Sequence, residues 1–196
     1  MSTVATPKER VLAAALDEFA RHGVAGARVD RIARAAKTSK ERVYAYFRSK
    51  EELYVAVAAD QLRQVMDSAP LDPADLPGYV GELFDFYAQH PDMLRLVGWS
   101  RLEPNENLIG LGEPGAASLR AKLEAIEQGQ RDGVLDDAFE PIDILLLIVH
   151  LSMGWWSAVE FHTLEDATDP DVLARRRAGA VLAAERLFGP HRGHGT

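Results

Sequence analysis

Fourteen residues near the N-terminus, 37 to 50, hold Lys37, Lys40, Arg42, Arg48 and Lys50, with Tyr44 and Tyr46 set among them. Cations at that density neutralise phosphates and release the counterions condensed on them. A phenol hydroxyl donates well to a phosphate oxygen. The competing reading is a solvated basic face on a small helical bundle. Covalent and proton-transfer chemistry finds less support. The chain has no cysteine, which excludes disulfides, thiolate metal sites and a cysteine nucleophile. It has no phosphate-cradling glycine loop, no nucleophile elbow and no zinc-binding His-Glu helix motif. Glu160-Phe161-His162 matches no zinc helix spacing. No enzyme activity, metal or cofactor is expected.

Charge divides along the chain. Its net value of -8 argues against a polyanion partner until the two parts are read apart. Residues 1–53 carry 11 Lys and Arg against 7 Asp and Glu, a net +4, whereas residues 54–196 carry 11 against 23, a net -12. A basic head on an acidic body is the distribution expected if the head alone meets phosphate.

The elements that would carry these residues are helices. Thr6-Pro7-Lys8-Glu9 reads as a capping box with proline in the first turn. Leu12, Ala15, Leu16, Phe19 and Ala20 follow on one face, and Gly23 is the expected stop. A second helix covers about Val29 to Ala36. After a break at Lys37-Thr38, capped by Thr38 or Ser39, a short third helix runs from Lys40 to about Phe47. Ser49-Lys50-Glu51-Glu52 opens a fourth, to about Ala69. Further helices are expected at about 78–89, 91–102, 116–131, 141–163 and 170–188. The result is an all-α fold of nine helices with a boundary at 49/50: a head expected to bind DNA, 1–49, and a longer acidic body, 50–196.

Two short helices joined by a tight turn, the second carrying polar and aromatic residues, have the proportions of a helix-turn-helix. Residues 7–57 also resemble the N-terminal domain of TetR-family regulators. The matching blocks are Ala14-Ala15-Leu16-Asp17-Glu18-Phe19, Gly23, Ile32-Ala33, Ala36, Ser39-Lys40, Tyr44-Ala45-Tyr46-Phe47 and Ser49-Lys50-Glu51-Glu52-Leu53. The resemblance implies that Tyr44, Tyr46 and Lys50 touch phosphates. It implies that Thr38, Ser39, Lys40, Arg42 and Ala45 face bases or nearby backbone, and that Arg28 approaches a phosphate. Phe19 and Phe47 are assigned to the head's core. The chain departs from the family where Lys37-Thr38 replaces a common Gly-Val and Glu41-Arg42-Val43 replaces Gly-Thr-Leu. Lys37 and Arg42 add positive charge, and losing the turn glycine requires Lys37 to hold an ordinary backbone conformation. Glu41 opposes the trend unless it caps the helix or accepts from a cytosine amino group.

In the body, the eighth helix is apolar around much of its girth, through Ile144, Leu145, Leu147, Ile148, Leu151, Trp155 and Val159. Such a helix must be covered on more than one side. Ala178, Gly179, Ala180, Ala183 and Ala184 form a small-residue strip on the ninth. The resemblance implies that these two helices pair with their mates in a twofold dimer, matching a palindromic double-stranded operator. Aromatic and methionine side chains gather on the middle helices, and Met66, Phe84, Tyr87, Met93, Trp99, Met153, Trp156 and Glu160 are the candidate ligand contacts. The plainer reading is that these aromatics fill the core. A carboxylate facing them, Asp85, Asp143 or Glu160, favours a cationic ligand. His150 is expected to be a hydrogen-bonded core residue.

The expected function is a sequence-specific DNA-binding regulator, a repressor released by a small, mainly apolar inducer. Two alternatives stay open: an activator of the same fold, and a helical protein–protein module without DNA binding. No signal-peptide stretch or membrane span is read, and a cytoplasmic location is expected.

Overall fold

The structure, a computed structural model, describes residues 5–68, 70–102, 112–158 and 165–189. Its helices are α1 (Pro7–Gly26), α2 (Val29–Ala35), α3 (Lys40–Tyr46), α4 (Lys50–Ser68), α5 (Leu76–Gln89), α6 (Pro91–Leu102), α7 (Gly112–Arg131), α8 (Pro141–Ser157) and α9 (Pro170–Phe188). One 3₁₀ turn, Pro73–Asp75, precedes α5. No strand occurs among the described residues, so the all-α reading holds.

Local chemistry accounts for most of these boundaries. The Thr6 hydroxyl accepts from the Glu9 amide at 3.2 Å while the Glu9 carboxylate accepts from the Thr6 amide at 2.7 Å, a complete capping box. Gly23, at φ 64°, kinks α1 before one last turn to Gly26. Asp75 caps α5 by accepting from the Gly78 amide, which starts that helix two residues before the expected Gly78. Pro170 sits in the first turn of α9 behind the Asp169 cap. Helix α7 starts four residues earlier than expected, and α8 ends at Ser157 instead of near Thr163. Residues 159–163 lie outside the described residues.

The end of α2 corrects one expectation. The Lys37 amide donates to Arg34 O at 3.2 Å and the Thr38 amide to Ala33 O at 2.9 Å, the paired closure of a Schellman motif. That closure needs a left-handed residue at the turn, and Lys37 takes it, with φ 54°. A side chain in this conformation costs roughly 1–2 kcal/mol relative to glycine. Lys37 therefore does not hold an ordinary backbone, and the head carries the strain that a turn glycine would avoid.

The chain divides into two compact units, residues 1–63 with 91–112 and residues 64–90 with 113–196. This division is interleaved along the chain, and α6 joins the first unit. The reason is specific contact with α1 and α4. Leu96 is buried in the first unit's core with Val11, Phe19, Ile32, Val43, Phe47, Leu53 and Tyr54. The Tyr54 ring meets Phe19 edge-on at 5.2 Å, and its hydroxyl donates to Leu96 O at 3.3 Å. Phe19 and Phe47 are core residues as expected.

The second unit packs α5 against α8 and α9. Leu76, Val80, Leu83 and Phe84 of α5, Ile126 of α7, Ile144 and Ile148 of α8 and Phe188 of α9 are buried. Ser152 is fully buried, its hydroxyl 2.9 Å from Ile148 O and 3.2 Å from Val80 O, so its polar atom does not stand orphaned. The Arg177 guanidinium crosses α5 over Gly81 to reach both oxygens of Asp85, at 3.0 and 2.9 Å. A Cβ on Gly81 would lie 2.6 Å from that guanidinium.

Candidate nucleic-acid interface

Within the first unit, α2 and α3 meet through the Schellman turn. Ser39, not Thr38, is the cap of α3, accepting from the Arg42 amide at 3.3 Å. Thr38 is already committed to the turn through its own amide. Val43 is the only buried residue of α3, so Lys40, Glu41, Arg42, Tyr44, Ala45 and Tyr46 all face outward. Tyr44 and Tyr46 are 43% and 38% exposed. Glu41 meets the condition set by the sequence. Its carboxylate accepts from its own amide and then from the Ser39 hydroxyl, which holds its pKa below the ordinary value and keeps its charge at the cap.

The cations separate into two groups. Lys40 Nζ lies 3.0 and 3.2 Å from the two oxygens of Asp30 on α2. Lys50 Nζ donates to Ala25 O at 3.2 Å and to Ala27 O at 3.3 Å. Arg28, Lys37, Arg42 and Arg48 are exposed and carry no side-chain hydrogen bond or ion pair among the described residues. The basic cluster is thus part structural and part available.

The connection between α1 and α2 is held almost entirely by charged side chains. Lys50 takes the carbonyls of Ala25 and Ala27, and Arg31 takes that of Gly26 at 3.1 Å. The Glu18 carboxylate accepts from the Arg28 amide at 2.8 Å and from Arg31 Nε at 2.8 and 3.0 Å. Glu18 is 7% exposed. Burial alone would raise its pKa, but Arg31 and the Arg28 amide outweigh burial and hold it below the ordinary value. The Arg28 amide sits at the cap of α2, which has no side-chain cap of its own. Glu18 supplies what the sequence lacks at that start. Sequence reasoning missed Glu18 and Arg31 because their partners lie 10 and 13 residues away.

The ligand candidates distribute over both units. Trp99 and Met93 belong to the first, where the Trp99 indole donates to Ala20 O at 3.0 Å and Met93 is buried. Phe84, Tyr87, Met153 and Trp156 belong to the second, where Phe84 and Trp156 stand 5.4 Å apart between ring centroids. The Trp156 indole nitrogen is buried with no hydrogen-bond partner among the described residues. Glu160 and the Met66 side chain lie outside the described residues. Asp85 is engaged by Arg177 and Asp143 is exposed, so neither turns an unpaired carboxylate toward the aromatics. Lys122, which the sequence did not single out, is 7% exposed with its ammonium 4.9 Å from the Tyr79 ring centroid. Burial lowers its pKa and raises those of Tyr79 and Tyr87 to about 12. His150 is exposed on α8, its Nδ1 2.8 Å from Leu146 O, which corrects the expectation of a core histidine. No group of side chains among the described residues could hold a metal ion. None of the described helices is long and apolar enough to cross a membrane.

Residues 11–57 match the family model for bacterial regulatory proteins of the tetR family, and residues 75–186 match that for the tetracyclin repressor-like C-terminal domain. The HTH-type transcriptional repressor SCO4008 of Streptomyces coelicolor is 38% identical over 152 residues, 78% of each chain. The HTH-type transcriptional repressor NicS of Pseudomonas putida is 29% identical over 186 residues, covering 88% of this chain and 85% of its own. The structure of the transcriptional regulator SCO4942 from Streptomyces coelicolor superposes with a TM-score of 0.81 at 48% identity, over 93% of this chain and 98% of that one. These relatives are regulators, not enzymes, and they match the body as well as the head. The outward face of α3 and the matches across both halves lead to one conclusion: the chain belongs to the TetR family and is a DNA-binding transcriptional repressor.

Proposed function

We propose that the chain binds a palindromic duplex as a homodimer, reading it with α3, and that a small, mainly apolar molecule in the body releases it. The observation that carries the DNA part is the outward face of α3, with Val43 alone turned in. Arg42, Ala45, Thr38, Ser39 and Lys40 face the groove, while Arg28, Lys37, Tyr44 and Tyr46 meet phosphates. Lys50 reaches a phosphate only if its third proton is free of the Ala25 and Ala27 carbonyls. Selection of bound duplexes from a random pool tests this reading. Two inverted half-sites should be enriched, and enrichment of a single unpaired site would overturn it.

The dimer is assigned to α8 and α9. Ile142, Leu146 and Leu147 of α8 are 51%, 52% and 37% exposed, and Leu182 and Leu187 of α9 are 44% and 40% exposed. Large apolar side chains gathered on neighbouring helices mark a covered surface. A cleft of about 690 Å³ lies between these helices, lined by Gly154, Gly179, Ala180 and Ala183 among others. A Cβ on Gly154 or Gly179 would meet nothing within 4 Å, so packing within one chain does not require glycine there. Close approach by a second copy would account for it.

For the inducer, the support is the Phe84–Trp156 pair with Tyr87 and Met153 beside it in the second unit. The unpaired Trp156 indole invites an acceptor atom on the ligand. Helix α4 runs from the first unit into the second, the route by which a ligand could reset the two reading heads. The ligand must prefer the DNA-incompetent state, and operator must then weaken the ligand by the same factor. Tryptophan fluorescence with flat neutral compounds and their cationic analogues, with and without operator, measures that reciprocity. Binding unaffected by operator would refute induction.

A further inference from the structure

Asp30 is an acidic residue on α2, the helix that crosses the DNA backbone in a helix-turn-helix. Left bare, its carboxylate would repel the phosphates. It is instead matched to Lys40, the first residue of α3, whose ammonium sits within 3.2 Å of both carboxylate oxygens. The neutralisation is selective. Glu41, the one carboxylate on α3, is turned to the helix cap, and the neighbouring Arg28, Lys37 and Arg42 carry no ion pair among the described residues. Of the cations around α3, Lys40 is the one tied to a carboxylate.

We infer that Asp30 is a specificity-determining residue: it withholds the Lys40 ammonium from phosphates of arbitrary DNA and orients it toward a base edge. An ammonium has three protons and no other freedom to donate. With its hydrogen bond and ion pair directed at Asp30, the ammonium presents its remaining protons from a set position on the reading helix. A phosphate offers Lys40 only an exchange of one oxyanion for another while stranding Asp30 against the backbone charge. A guanine offers O6 and N7 in the major groove, acceptors that Lys40 reaches without leaving Asp30. The pair therefore contributes little on arbitrary sequence and contributes on a site with a guanine in register. The pair is exposed, at 46% and 65% of its side-chain areas, so it is weak enough to be exchanged and its removal should not unfold the head.

The test uses the full chain with Asp30→Asn, Lys40→Met and the double variant. Fluorescence anisotropy follows binding to the duplex recovered by selection and to a scrambled duplex, across a salt series. Freeing Lys40 should add one phosphate contact per head on scrambled DNA. That steepens the salt slope by about 0.9 and tightens binding about eightfold for each head at 0.1 M salt, a slope change of about 1.8 for the twofold complex. Binding to the selected duplex should change less than about twofold, because Lys40 is already in use there. Lys40→Met should abolish the gain in the double variant. An unchanged melting temperature in Asp30→Asn shows that folding is not the cause. Equal tightening on both duplexes, no change on either, or a gain that survives Lys40→Met would each overturn the inference. The inference rests on α3 meeting DNA, so an unmutated chain that binds neither duplex sinks the operator reading first.

Discussion

The two units of this chain differ in how they dispose of their surfaces. The first spends charge on its own backbone: Glu18, Arg31 and Lys50 hold the connection before α2, and Asp30 holds Lys40. On α2 and α3 the large side chains it leaves exposed are charged or phenolic. The second turns apolar side chains outward, with Ile142, Leu146 and Leu182 each more than two-fifths exposed. A surface of arginines and phenols is stable in water and waits for a polyanion. A surface of leucines and glycines is incomplete until another apolar surface covers it. The head is therefore finished as a fold and open as a binding site, whereas the body is open as a fold.

The largest effect should come from breaking the body. Gly179→Arg puts a long cation where a Cβ has open space in the single chain, so the fold should survive while the dimer does not. An unpaired charge buried in the interface costs about 3–5 kcal/mol. Light scattering at micromolar concentration should change from dimer to monomer, with operator affinity falling alongside. A variant that stays dimeric would move the interface away from α9.

In the head, Glu18→Gln should cost about 1–3 kcal/mol, the loss of charge-assisted bonds to a buried acceptor. The effect has a pH signature. Because the folded pKa lies below the ordinary 4.5, this carboxylate's contribution is complete above that value and is lost as pH falls through the folded pKa. Hydrogen exchange in α2 should accelerate in acid for the unmutated chain, and the variant should lack that component. Matching acid profiles would remove Glu18 from the account.

These two contrasts explain what the sequence could and could not disclose. Thr6 and Glu9 sit three residues apart, and both their bonds run between neighbours in sequence, so the box was legible. The face of α3 was legible because Val43 is its one apolar inward position. Lys37 was misread because the Schellman closure imposes a conformation that the residue's identity does not announce. The bonds of Lys50 to the turn were not legible because its carbonyl partners lie 25 and 23 residues away. The apolar girth of α8 was plain, but which side stays uncovered depends on α5 and α9, and His150 fell on that side.

Lys50→Met sharpens the division between structural and available cations. If Lys50 serves the turn, operator affinity should fall about tenfold on every sequence with the salt slope unchanged, because no phosphate contact is lost. A slope shallower by about 0.9 per head, about 1.8 for the twofold complex, would return Lys50 to the phosphates. The smallest effect is at the turn. Lys37→Gly should stabilise the head by up to about 1 kcal/mol by relieving the left-handed side chain, even as it weakens DNA binding by removing a charge. A melting temperature that falls would mean that the turn is not strained as φ 54° implies.

The central claim is that α3 and its available cations meet duplex DNA in a twofold complex. Its most direct measurement is the salt dependence of affinity for the selected duplex, taken for the unmutated chain and for Arg42→Ala. Arg28 and Lys37 from each of two heads neutralise about four phosphates, so the slope should be roughly -4, and Arg42→Ala should weaken binding and change base preference at one position in each half-site. Affinity that is the same at low and high salt, or a selected sequence that Arg42→Ala leaves untouched, would contradict it.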